Sequence, residues 1–306
     1  MDEIFNNIKN NYENINFSNI RKIKTKTIND IFFIDDKYVL KIYTLDDEKQ
    51  VIISIKTQKK IHDLLGISPN IILNKKGEII TKYKNRICCM QEFIEPQENK
   101  VDIIEKVAKE LTLMHHEFKS FDYGEYKYEK KYKSFQNIEE DIIKNKEQID
   151  RLNTCQDAKK VLNILLDKRL EYLKKYKCEY RPEKYQIIHG DIRPSNIICN
   201  NDKAYFIDFD FTSCGDLLFE IGSAAMLISD FNLDEAIRFL QIYNQNSKEV
   251  YLDKIIIFNN LLSYYVQSSF PMRLVGKIDD MAVKKMAEGR IACLEFCNKI
   301  LERECI

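Results

Sequence analysis

The sequence predicts an α+β chain in two lobes, a small β-rich front over 1–94 and a large, mostly helical back over 95–306. Three observations lead there. Short apolar runs separated by turn residues fill the first third of the chain. Beyond Pro96 the apolar residues recur at helical spacing over long stretches. A β-like patch between Gln186 and Phe211 interrupts those helices and carries a dense group of polar residues.

Each element has a local reason. Ile4, Phe5, Ile8, Tyr12 and Ile15 share one face of an amino-terminal helix. Strands follow over Ile20–Ile28, Ile31–Ile34 and Tyr38–Tyr43, with turns at Asn29-Asp30 and Asp35-Asp36. Asp46-Asp47-Glu48 gives the next helix an acidic start, and Gly66 stops it after Leu65. Two more strands are expected near Glu78–Tyr83 and Arg86–Phe93. The helical part begins with Val101–Phe118, Glu129–Leu152 and Ala158–Tyr176. It resumes at Leu217 and includes a strongly periodic stretch from Met281 to Leu301.

Composition excludes several classes. Lys plus Arg is 48 and Asp plus Glu is 48, a zero balance that argues against bulk electrostatic binding to nucleic acid or an anionic membrane. The amino terminus lacks a basic region followed by an apolar run, so a cytoplasmic protein is expected. The apolar stretch Ile255–Val266 is broken by Asn259 and Asn260 and is too short to span a bilayer. Nine cysteines without a C-x-x-C pair read as reduced thiols, and Cys293, Cys297 and Cys305 lack spaced metal-binding partners.

The chemistry concentrates in Ile187-Ile188-His189-Gly190-Asp191-Ile192-Arg193-Pro194-Ser195-Asn196-Ile197-Ile198, followed by Tyr205-Phe206-Ile207-Asp208-Phe209-Asp210. Apolar pairs flank a polar loop that holds an acid, a guanidinium and an amide. Asp191 and Asp208 are 17 residues apart, the length of a small hairpin that returns both carboxylates to one end. Singly, Asp191 and Asn196 would cap a turn and Asp208 would end a strand. Together they match the needs of phosphoryl transfer: one carboxylate for the acceptor hydroxyl, a second with an amide oxygen for magnesium, and a cation for the transferred group.

H-G-D-I-R-P-S-N followed by I-D-F-D resembles the aminoglycoside phosphotransferase and choline kinase family, relatives of protein kinases that phosphorylate small molecules. The resemblance implies a bilobal protein-kinase-like fold, with a nucleotide-binding front lobe and the catalytic loop and acceptor site in the back lobe. It implies ATP and Mg2+ as cofactors and a small-molecule hydroxyl as acceptor, with no nucleic acid or membrane partner. Asp191 takes the place of the catalytic base, and His189 and Gly190 shape its loop. Arg193 takes the place of a phosphate-facing cation, and Asn196 and Asp208 of the magnesium ligands. Asp210 replaces the glycine of a protein-kinase D-F-G, and the resemblance implies an acid that either backs the metal ligands or faces the substrate. Lys41, in Tyr38-Val39-Leu40-Lys41-Ile42-Tyr43, takes the place of the phosphate-binding lysine. Met90, Gln91, Glu92 and Phe93 take the place of the hinge that meets adenine, with Met90 at the back of the pocket.

Two departures stand out. Where the family's helix offers a glutamate to the lysine, this sequence has Thr57-Gln58, which leaves Gln58 or Glu48 as the partner of Lys41. No glycine-rich loop covers the phosphates; Thr25-Lys26-Thr27-Ile28-Asn29-Asp30 occupies the hairpin position. A protein kinase is disfavoured because only 12 residues separate Asp208 from Glu220, which leaves no room for a peptide platform. A catalytically weak or dead nucleotide-binding protein is the other alternative. The plan of the chain resembles the homoserine-kinase-like and spore-coat-kinase-like branches most, with aminoglycoside and choline kinases next. Arg273 and Lys277 are candidates for an acceptor carboxylate. His115 reads as packing.

Overall fold

The computed structural model describes residues 2–12, 14–23, 29–44, 47–97, 102–127, 134–178, 184–200, 203–247 and 252–304. Thr25–Ile28 of the expected hairpin, Asp46 and Cys305 lie outside them, as do 129–133 of an expected helix. In chain order the elements of the front are α1 (Asp2–Asn11), β1 (Ile20–Ile23), β2 (Asp30–Ile34), β3 (Tyr38–Thr44), α2 (Glu48–Leu65), β4 (Ile71–Ile72), β5 (Thr81–Tyr83) and β6 (Arg86–Glu92). Helices α3 (Ile103–Phe118), α4 (Phe135–Gln148) and α5 (Gln156–Tyr176) follow. Then come β7 (Tyr185–Ile188), β8 (Ile197–Asn200), β9 (Lys203–Phe206) and β10 (Ser213–Asp216). The chain ends in α6 (Leu217–Ile228), α7 (Leu233–Asn246), α8 (Lys254–Gln267) and α9 (Asp280–Glu304). The expected α+β class holds, with an amino-terminal antiparallel sheet and a mostly helical remainder.

The chain forms two compact units. One comprises 1–128 and 186–214, the other 129–185 and 215–306. In the first, the sheet runs β1-β2-β3-β6-β4, with β5 also on β6. Strand β3 lies antiparallel to β6 and pairs Leu40 with Met90, Lys41 with Cys89 and Val39 with Gln91. Because neighbouring side chains on a strand point to opposite faces, this register sorts the sheet into two apolar layers. On one face Ile4, Ile8 and Tyr12, spaced one helical turn apart, bring α1 against Phe32, Ile34, Leu40, Ile42, Cys88 and Met90. On the other, Ile55 of α2 packs with Tyr43, Ile71, Ile87 and Cys89.

Helix α2 starts and stops as its sequence dictates. Asp47 caps it by accepting from the Gln50 N–H at 3.0 Å, and Gly66 closes it in the left-handed conformation at φ 64°. Its neighbour β4, only two residues long, gave no periodic signal in the sequence.

In the second unit α5 packs against α4, α8 and α9, and α6 packs against α7 and α8. Asp216 caps α6 and is itself held by the Asn260 amide. Arg169 of α5 is wholly buried and donates through Nε to the Val266 carbonyl at 2.7 Å, where α8 ends. Burial lowers its guanidinium to about 10, which leaves it charged at neutral pH. No helix among the described residues is long and apolar enough to cross a membrane.

The buried thiols give the sheet a pH signature. Burial pushes Cys88 and Cys89 up to about 12 from an ordinary 9.0. Between those values the unfolded chain ionises both thiols and the folded chain neither. Stability is therefore full below about pH 9 and falls as pH rises toward 12, by up to about 1.4 kcal/mol per pH unit for each thiol. Denaturant melts between about pH 8 and 10 should show this fall, and a shallower one for a Cys88→Ala, Cys89→Ala double variant. Equal slopes for the two proteins would remove the thiols as the cause.

Candidate active site

The site residues on the first unit come from β3, α2, the loop after β7, the hairpin β8–β9 and the turn that follows it. The hairpin does the gathering. Its register pairs Ile197 with Phe206, so the next residues outward are Asn196 and Ile207, and the Ile207 N–H donates to the Asn196 carbonyl at 3.0 Å. Asn196 and Asp208 thus leave the open end of the hairpin together. Asp208 sits at φ 65°, a left-handed conformation that is strained for a residue other than glycine. A single turn of 3-10 helix, Phe209–Phe211, follows it.

Lys41 joins the sheet to this turn. Its Nζ lies 2.7 Å from Asp208 Oδ1 and 2.7 Å from Asp210 Oδ2, and 4.8 Å from the centre of the Tyr43 ring. Burial on its own would lower the lysine, but the two carboxylates outweigh it and hold Lys41 above its ordinary value. Burial likewise works to raise Asp208, and the charge and hydrogen bond of Lys41 reverse that and hold it below its ordinary value. Asp210 moves the other way. Burial and the neighbouring Asp208 charge raise it despite Lys41.

The loop after β7 is built around one histidine. His189 is fully buried, its ring 4.5 Å from that of Phe209. The Asp191 N–H donates to its Nδ1 at 3.3 Å, so Nε2 carries the proton and donates to the Ile207 carbonyl at 3.2 Å. His189 therefore ties the loop to the hairpin from inside the core. Gly190 adopts φ 84°, and a Cβ there would stand 2.4 Å from the Phe211 carbonyl oxygen. One oxygen of Asp191 is anchored twice: Oδ2 accepts from Asn196 Nδ2 at 2.7 Å and forms an ion pair with Arg193 Nη2 at 2.6 Å. Its Oδ1 has no hydrogen-bond partner among the described residues. Asn196 Nδ2 also donates to the Asp191 carbonyl at 3.0 Å, which spends both amide hydrogens, and the amide oxygen accepts only a long bond from Ser195 Oγ at 3.4 Å among the described residues, which leaves it a lone pair for a ligand. An amide oxygen and a carboxylate are the hard oxygen donors that suit magnesium, so the residues present fit that ion.

Other expected site residues fall elsewhere. Gln58 does not partner Lys41: its Nε2 donates to the Pro69 carbonyl at 3.1 Å and to Gln91 Oε1 at 2.9 Å, which uses both hydrogens. Glu48 pairs with Lys82 instead. The physical reason lies in helix phase. The residues of α2 that bind the 208–212 turn are Gln50 and Ser54, one helical turn apart, and Thr57 continues their stripe toward Tyr126. Gln50 Nε2 donates to the Asp210 and Thr212 carbonyls at 3.3 and 2.8 Å, and Ser54 Oγ to the Phe209 carbonyl at 3.0 Å. Thr57 Oγ1 pairs with the Tyr126 hydroxyl at 2.8 Å.

Met90 is on the sheet face opposite Lys41. It pairs with Leu40 and is buried beneath α1, while Cys89 and Gln91 share the lysine's face. At the expected hinge, the Glu92 and Phe93 N–H groups donate to the Asn70 and Lys37 carbonyls at 2.9 Å each. Arg273 and Lys277 are exposed on the second unit. His115 is buried beside Phe118, as its packing role predicts. The residues that sequence reasoning missed are Asn29, Gln50 and Ser54. The uncharged polar pair Gln50 and Ser54, one helical turn apart on α2, was the available signal.

Comparison with known proteins bears on the family and the fold. Among curated proteins, a LicA homolog of Metamycoplasma hominis is 25% identical over 236 residues, covering 73% of this chain and 83% of its own length. The structure of a spectinomycin phosphotransferase with ADP and spectinomycin superposes with a TM-score of 0.65 at 17% identity, covering 97% of this chain and 93% of that one. A microcompartment-associated aminopropanol kinase gives 0.63 at 12% identity, covering 97% and 95%. A choline kinase from Cryptosporidium parvum gives 0.60 at 14%, covering 99% and 97%. The fold is therefore kinase-like. The model of the phosphotransferase enzyme family matches residues 19–251, which contain Lys41, the loop at Asp191 and the turn at Asp208, and this chain belongs to that family.

Proposed function

We propose that this phosphotransferase moves the γ-phosphate of ATP to a hydroxyl of a small molecule, an amino alcohol, hydroxy amino acid, sugar or aminoglycoside. The observation that carries the reading is the arrangement of Asp191: one oxygen held by Asn196 and Arg193, the other open, at the end of the hairpin that presents Asp208 to Lys41. Asp191 Oδ1 accepts the proton of the acceptor hydroxyl as that oxygen bonds to the γ-phosphorus. The bond from phosphorus to the bridging oxygen breaks, and ADP leaves. Lys41 directs the nucleotide phosphates, and Asn196 Oδ1 with Asp208 would hold magnesium. The ion supplies neutralisation of the phosphate charge. The solved relatives named for spectinomycin, aminopropanol and choline support a small acceptor of this kind.

The test is ADP release by the purified chain with ATP and magnesium across a panel of such acceptors, scored over the background ATPase rate. Stimulation by none of them would count against the reading. ATP with magnesium should also stabilise the fold by about 2.7 kcal/mol at about 100 Kd, and much less with chelator present. Asp208→Asn should abolish that metal-dependent gain and the activity together. A variant that kept both would remove Asp208 as a ligand.

A further inference from the structure

We infer that Asp210 is the positioning residue for Lys41, doing in this chain what a carboxylate on α2 would otherwise do. Helix α2 contains two acids, and both are engaged elsewhere: Glu48 with Lys82, and Asp63 with Lys59 at 2.5 Å. The residues that α2 turns toward the 208–212 segment are neutral and bind its backbone, not the lysine. Among the described residues, the carboxylates on Lys41 are those of Asp208 and Asp210. Asp208 cannot serve both a metal ion and the lysine equally well, since a divalent cation competes for the same oxygens. Asp210 is the carboxylate left to hold Lys41 in every state of the site.

Asp210 is itself held at both ends. Its carbonyl accepts from Gln50 Nε2 at 3.3 Å, and its Oδ2 accepts from Asn29 Nδ2 at 3.3 Å as well as from Lys41. Asn29 Oδ1 in turn accepts from the Thr44 N–H at 3.3 Å, so the amide spans from β3 to the carboxylate. A long lysine side chain loses considerable rotamer freedom when it is fixed, and a fixed acid beside it defrays that loss before the nucleotide arrives. The spacing of I-D-F-D serves this purpose: with Asp208 left-handed and a 3-10 turn after it, the second and fourth residues, Asp208 and Asp210, both reach one ammonium.

This inference rests on the phosphotransferase reading of the site, and a double-mutant cycle separates the two. The readouts are equilibrium binding of a non-hydrolysable ATP analogue with magnesium, KM for ATP, and the magnesium concentration for half-maximal binding. Asp210→Asn is expected to weaken binding and raise KM about tenfold in the unaltered chain, and to add nothing once Lys41→Ala is present. The magnesium requirement should not move. Equal losses in both backgrounds, or a higher magnesium requirement, would make Asp210 a metal ligand and overturn the proposal. A rise confined to the acceptor KM would make it an acceptor-side acid, which overturns the proposal too. If Lys41→Ala and Asp208→Asn leave nucleotide binding intact as well, the phosphotransferase reading itself fails. If they impair it and Asp210→Asn does not, only the positioning role falls. Thermal unfolding of each variant identifies a loss that comes from misfolding, and Asp210→Glu, which keeps the charge, should restore part of the affinity.

Discussion

Replacing Asp191 with Asn is expected to lower kcat by ~10²–10⁴-fold on the true acceptor, the usual contribution of a general base. The geometry makes this variant informative. Asp191 Oδ2 is fixed by Asn196 and Arg193, both donors, so an asparagine will place its single carbonyl oxygen there. Its NH2 then takes the position of Oδ1 and presents hydrogens where a proton must be accepted. The loop keeps its shape, and nucleotide affinity should survive, because Lys41, Asn196 and Asp208 are untouched. Steady-state kinetics together with nucleotide binding check this. Near-full turnover would show that Asp191 is not the base. Loss of nucleotide binding along with turnover would show instead that it holds the metal or braces the loop.

Gly190→Ala is expected to be as damaging by a different route. At φ 84° an L-residue is strained, and the added methyl would stand 2.4 Å from the Phe211 carbonyl oxygen, a backbone atom that cannot swing aside. The Thr212 N–H binds the Phe209 carbonyl at 2.9 Å and the Gln50 amide binds the carbonyls of Asp210 and Thr212, so the turn that carries Phe211 is held in place. Conformational strain and overpacking together should cost about 3 kcal/mol or more. Part of it will appear as displacement of Asp191 from the hairpin, with loss of activity. Denaturant unfolding and kcat/KM measure the two effects. An alanine variant with unchanged stability and turnover would show that the loop does not pack against this turn.

The locally encoded features were legible in the sequence. The start and stop of α2 follow from Asp47 and Gly66, because capping and left-handed glycine are properties of one helix end. The hairpin that brings Asn196 to Ile207 follows from two short apolar runs and the spacing between them. The H-G-D-I-R-P-S-N and I-D-F-D segments carried the family, since phosphoryl transfer needs those groups at close sequence spacing.

What lay across the fold was not legible. Whether Gln58 reaches Lys41 depends on which stripe of α2 faces the sheet, a phase that packing decides. The tertiary structure turns Gln50, Ser54 and Thr57 toward the 208–212 turn and Tyr126, and sends Gln58 to Pro69 and Gln91. Met90 went to the opposite face for a similar reason. A one-residue difference in strand register reverses every side chain, and the pairing of Lys41 with Cys89 exists only once β3 and β6 have met. The pairing of Lys41 with Asp210, 169 residues apart, has no local signature at all. The types of group in the site are written in short segments, and their partners are chosen by long-range packing.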